Sequence, residues 1–327
     1  MNYKKLSFWV IVVGVSIIIV LLVYFVNASN EVDSIKWVKS LTETDVKSIE
    51  LIVQPSNENE RYRKYQPEEF SEIVKFINQC KGKLISNYEY MDGGIQTFYI
   101  TTKDGFCHEV TNSGNCYLMI DNDVFDASYD WLKLWDFTGN EKVPEEFLNR
   151  PIEAKWSLDQ SIGVDMCFLD YASDDFVIFH GYFGLFVYDL NKRKLLRSID
   201  LESIDCNYTQ GDNYCDVTVS EDGNMVYLHP MSSENMYVYT VNSNILRETK
   251  YESMDNAFDK FVDIEKIMDI KECCYSYNAV EFGNDDYGFL YTSYWKLGTL
   301  SADWELGTLE YHRGNKVYNL FVKDGKK

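Results

Sequence analysis

Hydrophobic residues are arranged along this chain in three ways. The first is continuous. "FWVIVVGVSIIIVLLVYFV", from Phe8 to Val26, runs 19 residues without a charge, enough for one helix to cross a bilayer. Lys4 and Lys5 precede it and Glu31 and Asp33 follow, so the positive-inside bias leaves the N-terminus in the cytoplasm and everything after Asn27 outside. A signal peptide cleaved near Val26–Ala28 is the competing reading, but the hydrophobic part of a signal peptide runs only about 7–15 residues. An uncleaved anchor fits better, and either reading exports the body of the protein.

The second pattern mixes two periods. "SIELIVQ", Ser48–Gln54, alternates as a half-buried strand does. "QPEEFSEIVKFINQC" then places Pro67 at a helix start, with Glu68 and Glu69 in its positive first turn. Phe70, Ile73, Val74 and Ile77 mark one helical face. "TFYITT", "CHEVT" and "CYLMID" read as strands joined by "KDG" and "NSGN" turns, and "ASYDWLKLWDF" as a short aromatic helix. The expectation is a small α+β domain over 31–140, behind a cytoplasmic tail and transmembrane anchor at 1–30. A linker follows at 141–156, where Pro144 and Pro151 fall in "GNEKVPEEFLNRPIEAKW".

The third pattern repeats. "DDFVIFHGYFGLFVYDLNKRKLLRSIDL" starts at Asp174 and "DGNMVYLHPMSSENMYVYTVNSNILRETKY" at Asp222, with a looser copy, "DDYGFLYTSYWKLGTL", at Asp285. His180 and His229 match at an offset of 49, and Phe186–Val187–Tyr188 matches Tyr237–Val238–Tyr239 at 51. A further strand precedes each copy: "MCFLDYA", "YCDVTVS" and "YSYNAVEF". Four strands per unit of about 50 residues is the signature of propeller blades. The expected fold is therefore an N-terminal transmembrane helix, the α+β domain, and over 157–327 an all-β domain of about three four-stranded, propeller-like blades. Three blades are fewer than the four usually needed to close a ring.

Composition narrows the function. The chain has 327 residues and a net charge of −21, which argues against nucleic acid, because phosphate binding needs clustered Lys and Arg. There is no HExxH, no GxSxG and no phosphate-binding glycine loop. The SxxK at Ser293–Lys296 lies in a strand-like stretch that sends its two members to opposite faces. No catalytic residue, metal site or cofactor is expected.

Export changes how the eight cysteines read. If "CNYTQGDNYC" is a hairpin centred on Gln210–Gly211, Cys206 faces Cys215 and the two can bridge. Closing so short a loop is worth about 2.5–3 kcal/mol before strain. Free thiols are the second reading and a metal loop the weakest. Cys80 and Cys167 read as small buried apolar residues, and Cys273–Cys274 as neighbours that would bridge only under strain.

Three ligand-binding candidates stand out. His180 and His229 occupy matching positions at their strand ends and, in blades sharing an axis, would reach a common ligand. Tyr182, in the aromatic run "HGYFGLF", suits glycan or protein contact. The plainer reading makes all three hydrogen-bonded or core residues repeated with the fold. The acidic pairs Asp174–Asp175, Glu221–Asp222 and Asp285–Asp286 precede equivalent strands, and ordinary turn chemistry accounts for them better than calcium does.

"GYFGLFVYDL", "CNYTQGDNYC" and "DGNMVYLHPMS" resemble segments of uncharacterised, membrane-anchored exported proteins of Gram-positive bacteria. Similar segments are attached to BlaR1-like metallopeptidase transducers. The resemblance covers about residues 160–320. It implies an accessory or sensory outside domain without the peptidase, whose zinc motif is absent. The expectation is a single-pass, extracytoplasmic binding or sensing protein acting through a partner membrane protein or a cell-wall ligand. A carboxylate-dependent cell-wall hydrolase and a structural scaffold are the alternatives.

Overall fold

The computed structural model describes residues 33–54, 61–85, 95–121, 123–137, 139–154, 167–209, 211–264, 275–292 and 309–321. The expected anchor at 8–26, Ser293–Lys296 and Cys273–Cys274 lie outside them. Among the described residues no helix is long and apolar enough to cross a membrane. The chain divides into two compact units. One comprises the described residues within 1–59, 64–100 and 109–138, the other those within 60–63, 101–108 and 139–327. Both are dominated by antiparallel strands, with few helices.

In the first unit, helix α1 (Asp33–Ser40) leads to strand β1 (Val46–Gln54). β1 belongs to a seven-stranded sheet, most of it in this unit, in the order β2-β1-β4-β5-β6-β7-β3, the other strands being β2 (Arg61–Lys64), β3 (Lys81–Leu84), β4 (Ile95–Thr102), β5 (Cys107–Ser113), β6 (Tyr117–Ile120) and β7 (Asp123–Ser128). Helix α2 (Phe70–Asn78) forms where its sequence predicts. Pro67 opens a single 3-10 turn ahead of it, and the Gln66 N–H donates to the Glu69 carboxylate at 2.8 Å, satisfying a donor that the helix start would leave bare. Its apolar face buries Phe70, Ile73, Val74 and Ile77 in one cluster with Ile49, Leu51, Phe98 and Ile100 of the sheet. A last short helix, α3 (Trp131–Asp136), is followed by Phe137, whose carbonyl accepts from the Tyr65 hydroxyl.

The second unit, which also holds helix α4 (Glu145–Leu148), contains three sheets. The first is β8 (Cys167–Ala172), β9 (Phe176–Gly181), β10 (Gly184–Asp189) and β11 (Lys194–Ile199). The second is β12 (Cys215–Val219), β13 (Met225–Pro230), β14 (Asn235–Thr240) and β15 (Ile245–Lys250). Each of these is an antiparallel meander whose strands lie in chain order, so β8 and β12 are edge strands. The third holds five: β16 (Phe261–Asp263), β17 (Tyr275–Gly283), β18 (Asp286–Thr292), β19 (Leu309–Arg313) and β20 (Lys316–Phe321).

The repeat seen in the sequence corresponds to matching strands. His180 is the fifth residue of β9 and His229 the fifth of β13. Phe186 and Tyr237 each hold the third place in the strand that follows. A continuous core runs through the three sheets, with Phe179, Phe186, Tyr239 and Tyr311 fully buried.

Two expectations are corrected. The Cys206–Cys215 bridge is not formed: both are free, buried thiols. Nor is their loop a two-residue hairpin. Cys206 follows a 3-10 turn (Glu202–Ile204), whereas Cys215 opens β12 and pairs with Pro230. The ladder to β13 claims Cys215, so the two cysteines never oppose one another across paired strands.

Candidate functional site

In β8 the register with β9 slips between Leu169 and Tyr171, which makes Asp170 the extra residue of a β-bulge. A bulge re-aims its side chain, and here the carboxylate turns to the next strand. His180 Nδ1 lies 2.7 Å from one carboxylate oxygen and 2.9 Å from the other. Both side chains are buried, with 8% of His180 and 6% of Asp170 accessible. The imidazole is also stacked on Phe168, its partner across the strands, with ring centroids 5.1 Å apart. Burial pushes the Asp170 carboxyl above the ordinary aspartate range. The His180 ring works against that shift, and the nearby Asp216 charge adds to it.

This pair forms part of the wall of a cavity of about 320 Å³ bounded by all three sheets of the unit. β8 contributes Phe168–Asp170, and the whole of β12 lines the opposite side. Phe258, Phe261 and Asn278 come from the third sheet and its approach, and Thr209 and Tyr214 from the loop before β12. No lysine or arginine occurs among these described residues. The volume falls at the lower end of the range that holds small organic ligands.

Cys215 lines the same cavity. Its thiol is within hydrogen-bonding reach of Cys206, and that contact together with burial holds it protonated, far from thiolate character.

Of the three candidates read from the sequence, His180 lines this cavity and the other two do not. His229 lines a separate one of about 180 Å³, where its ring stacks on Tyr251 at 4.0 Å and its Nε2 lies 3.0 Å from the Ser233 carbonyl. Asp216 and Thr218 belong to both walls, so the matching histidines stand on either side of β12. They share a position in the repeat and differ in chemistry, because the residue facing His180 is Phe168 and the residue facing His229 is Asp216. Tyr182 sits in the turn between β9 and β10, edge-on to Phe183, outside the described cavity walls.

No protein-family model matches this chain, and no curated protein matches it. Among solved structures it is similar to one described as the crystal structure of the tricorn protease, at 7% identity and a TM-score of 0.17. That match covers 88% of this chain and 30% of the other, so the chain spans less than a third of that protein's length. A likeness this slight carries no argument about fold or chemistry.

The acidic pairs behave as turn residues and braces. Asp222 Oδ1 accepts from Ser220 Oγ at 2.6 Å and from the Asn224 N–H at 3.0 Å. Asp174 and Asp286 are both bound by Arg313, at 2.6 and 3.0 Å. Among the described residues no group of three or more His, Cys, Asp or Glu side chains is arranged to hold a metal.

Sequence reasoning passed over Asp170 and Asp216. A signal for the first was present: "CFLDYA" is apolar except for one acid, and a buried carboxylate needs a partner.

Proposed function

We propose that this protein is a binding or sensing module that works outside the cytoplasm from a single membrane span, without catalysis of its own. In this reading the three sheets are propeller-like blades converging on a small-ligand cavity, and the signal passes to a partner membrane protein. The resemblance to segments attached to BlaR1-like transducers supports the same role. The observation that carries the reading is the state of the reactive groups in the cavity. Asp170 is engaged through both oxygens by His180, and the Cys215 thiol is held protonated beside Cys206. In this reading the Asp170–His180 pair and the Cys215 thiol shape the cavity wall.

The test is photo-crosslinking of the full-length chain in native membranes, with a photoreactive residue at Tyr214 on the cavity rim. A discrete adduct, lost when Phe168 is replaced by Trp to fill the cavity, is the expected result. Labelling that ignores the filled cavity would overturn the reading.

One observation favours a carboxylate-dependent hydrolase as the second reading: Asp170 and Asp216 line one cavity, and the Asp216 charge adds to the rise of the Asp170 carboxyl. Turnover of cell-wall polymer abolished by Asp216→Asn would establish it in place of the first.

A further inference from the structure

β12 is an edge strand whose outer side is sealed at its two ends by the chain itself. At one end the Cys215 N–H donates to the Tyr208 carbonyl at 2.8 Å, and at the other the Phe258 N–H donates to the Val219 carbonyl at 2.7 Å. Both bonds point away from β13, because Cys215 faces Pro230, which has no N–H to exchange. Backbone direction alternates along a strand, so Val217 shares their orientation, and its N–H and C=O face outward between the two seals. Val217 is half-buried and lines the cavity, and among the described residues its outward N–H and C=O have no backbone partner. The open window between Cys215 and Val219 is about 13 Å long. That is too short for an added strand of ordinary length and long enough for two or three residues of extended peptide.

Charge and shape around the window agree with one another. Asp216 and Thr218 flank Val217 on the opposite face of the strand, and Phe168, Phe258 and Phe261 line the same cavity. A wall that holds this carboxylate and three aromatic rings, with no lysine or arginine, favours a cation.

We propose that the cavity takes a short extended peptide, one residue pairing with the Val217 backbone and the next presenting an ammonium or guanidinium group to Asp216. The offset follows from pairing geometry. A residue opposite Val217 shares its face of the sheet, so only its neighbours reach the Asp216 side. The proposal rests on the binding-module reading above and names the ligand class for that cavity. It specifies a peptide with a free backbone N–H and a basic side chain one residue away.

The experiment uses full-length protein in detergent, with saturation-transfer NMR on three probes: acetyl-Gly-Lys-amide, its norleucine analogue, and acetyl-sarcosyl-Lys-amide. The lysine probe should bind about tenfold more tightly than the norleucine probe, and the sarcosine probe, which lacks the pairing N–H, should lose binding. Asp216→Asn should bring the lysine probe down to the norleucine level without moving the unfolding midpoint. Equal binding of the lysine and norleucine probes, or full binding of the sarcosine probe, overturns the proposal. Saturation by a neutral N-acetylated oligosaccharide in place of all three peptides would refute the peptide while leaving the binding module standing. No binding by any probe, with no adduct in the crosslinking test above, would remove both.

Discussion

Asp170 and His180 show how one side chain sets the behaviour of another when both are out of water. Because burial raises the Asp170 pKa, the folded protein holds that proton more tightly than the unfolded chain does. Its contribution to stability is therefore largest below the ordinary aspartate range and declines as pH rises toward the folded value. Asp170→Asn should lack this decline, and urea midpoints measured across pH would show it as a flatter profile. Replacing His180 with Ala leaves the carboxyl buried without its partner and should cost about 3 kcal/mol near neutral pH, less under mildly acidic conditions where the lone carboxyl takes up a proton. Thiol reactivity belongs to the same scale. Cys116 is exposed, whereas Cys80, Cys206 and Cys215 are buried, and burial pushes Cys80 up to about 12. A maleimide pulse on the native protein, read by mass spectrometry, should modify Cys116 first and reach the buried thiols only on unfolding. At this scale the sequence was legible where a residue's partner is set by local periodicity, as for Phe70, Ile73 and Ile77. For Asp170 the lone acid in "CFLDYA" signals that a partner is needed, but not which one, because a bulge leaves no trace in hydrophobic alternation.

Among the elements, turns carry the sharpest requirements. Gly223, between β12 and β13, has φ +74, and a Cβ there would come within 2.7 Å of the Tyr171 and Phe176 rings. Gly211 has φ +87, and nothing lies within 4 Å of the same added atom. Gly211→Ala should therefore cost only the backbone strain, about 1 kcal/mol, while Gly223→Ala should cost clearly more, since it also displaces two packed rings. Thermal denaturation of the pair separates the two effects. The repeat was readable from the sequence because equivalent strands keep equivalent apolar residues, as Phe186 and Tyr237 do. The cysteine loop misled because its symmetry about Gln210–Gly211 suggests local pairing. Its second half is instead recruited by β13, and a strand choosing between two neighbours is decided by burial of Val217 and Val219, not by the loop between.

On the scale of the second unit, contacts distant in sequence hold the first and third sheets together. Arg313 of β19 binds Asp174 in the β8–β9 turn and Asp286 beside it, and its guanidinium lies 3.5 Å from the centre of the Phe282 ring. The Tyr188 hydroxyl of β10 donates to the Asn319 carbonyl of β20 at 3.1 Å. Asp174 is 82% exposed, so its ion pair adds little by itself. Arg313→Ala should lower stability by about 1–2 kcal/mol, chiefly through the ring and the packed stem, and chemical denaturation against Arg313→Lys would isolate the planar group's share. The proposed topology has its own check at this scale. Protease added to intact cells should cleave sites after Asn27, and a body left whole would overturn the outward orientation. The Arg313 and Tyr188 contacts also fix an order of events during synthesis. Strands β8 to β11 leave the ribosome more than a hundred residues ahead of the segment that latches onto them. This clasp on the first sheet therefore closes only once β19 and β20, the last of the described strands, have emerged.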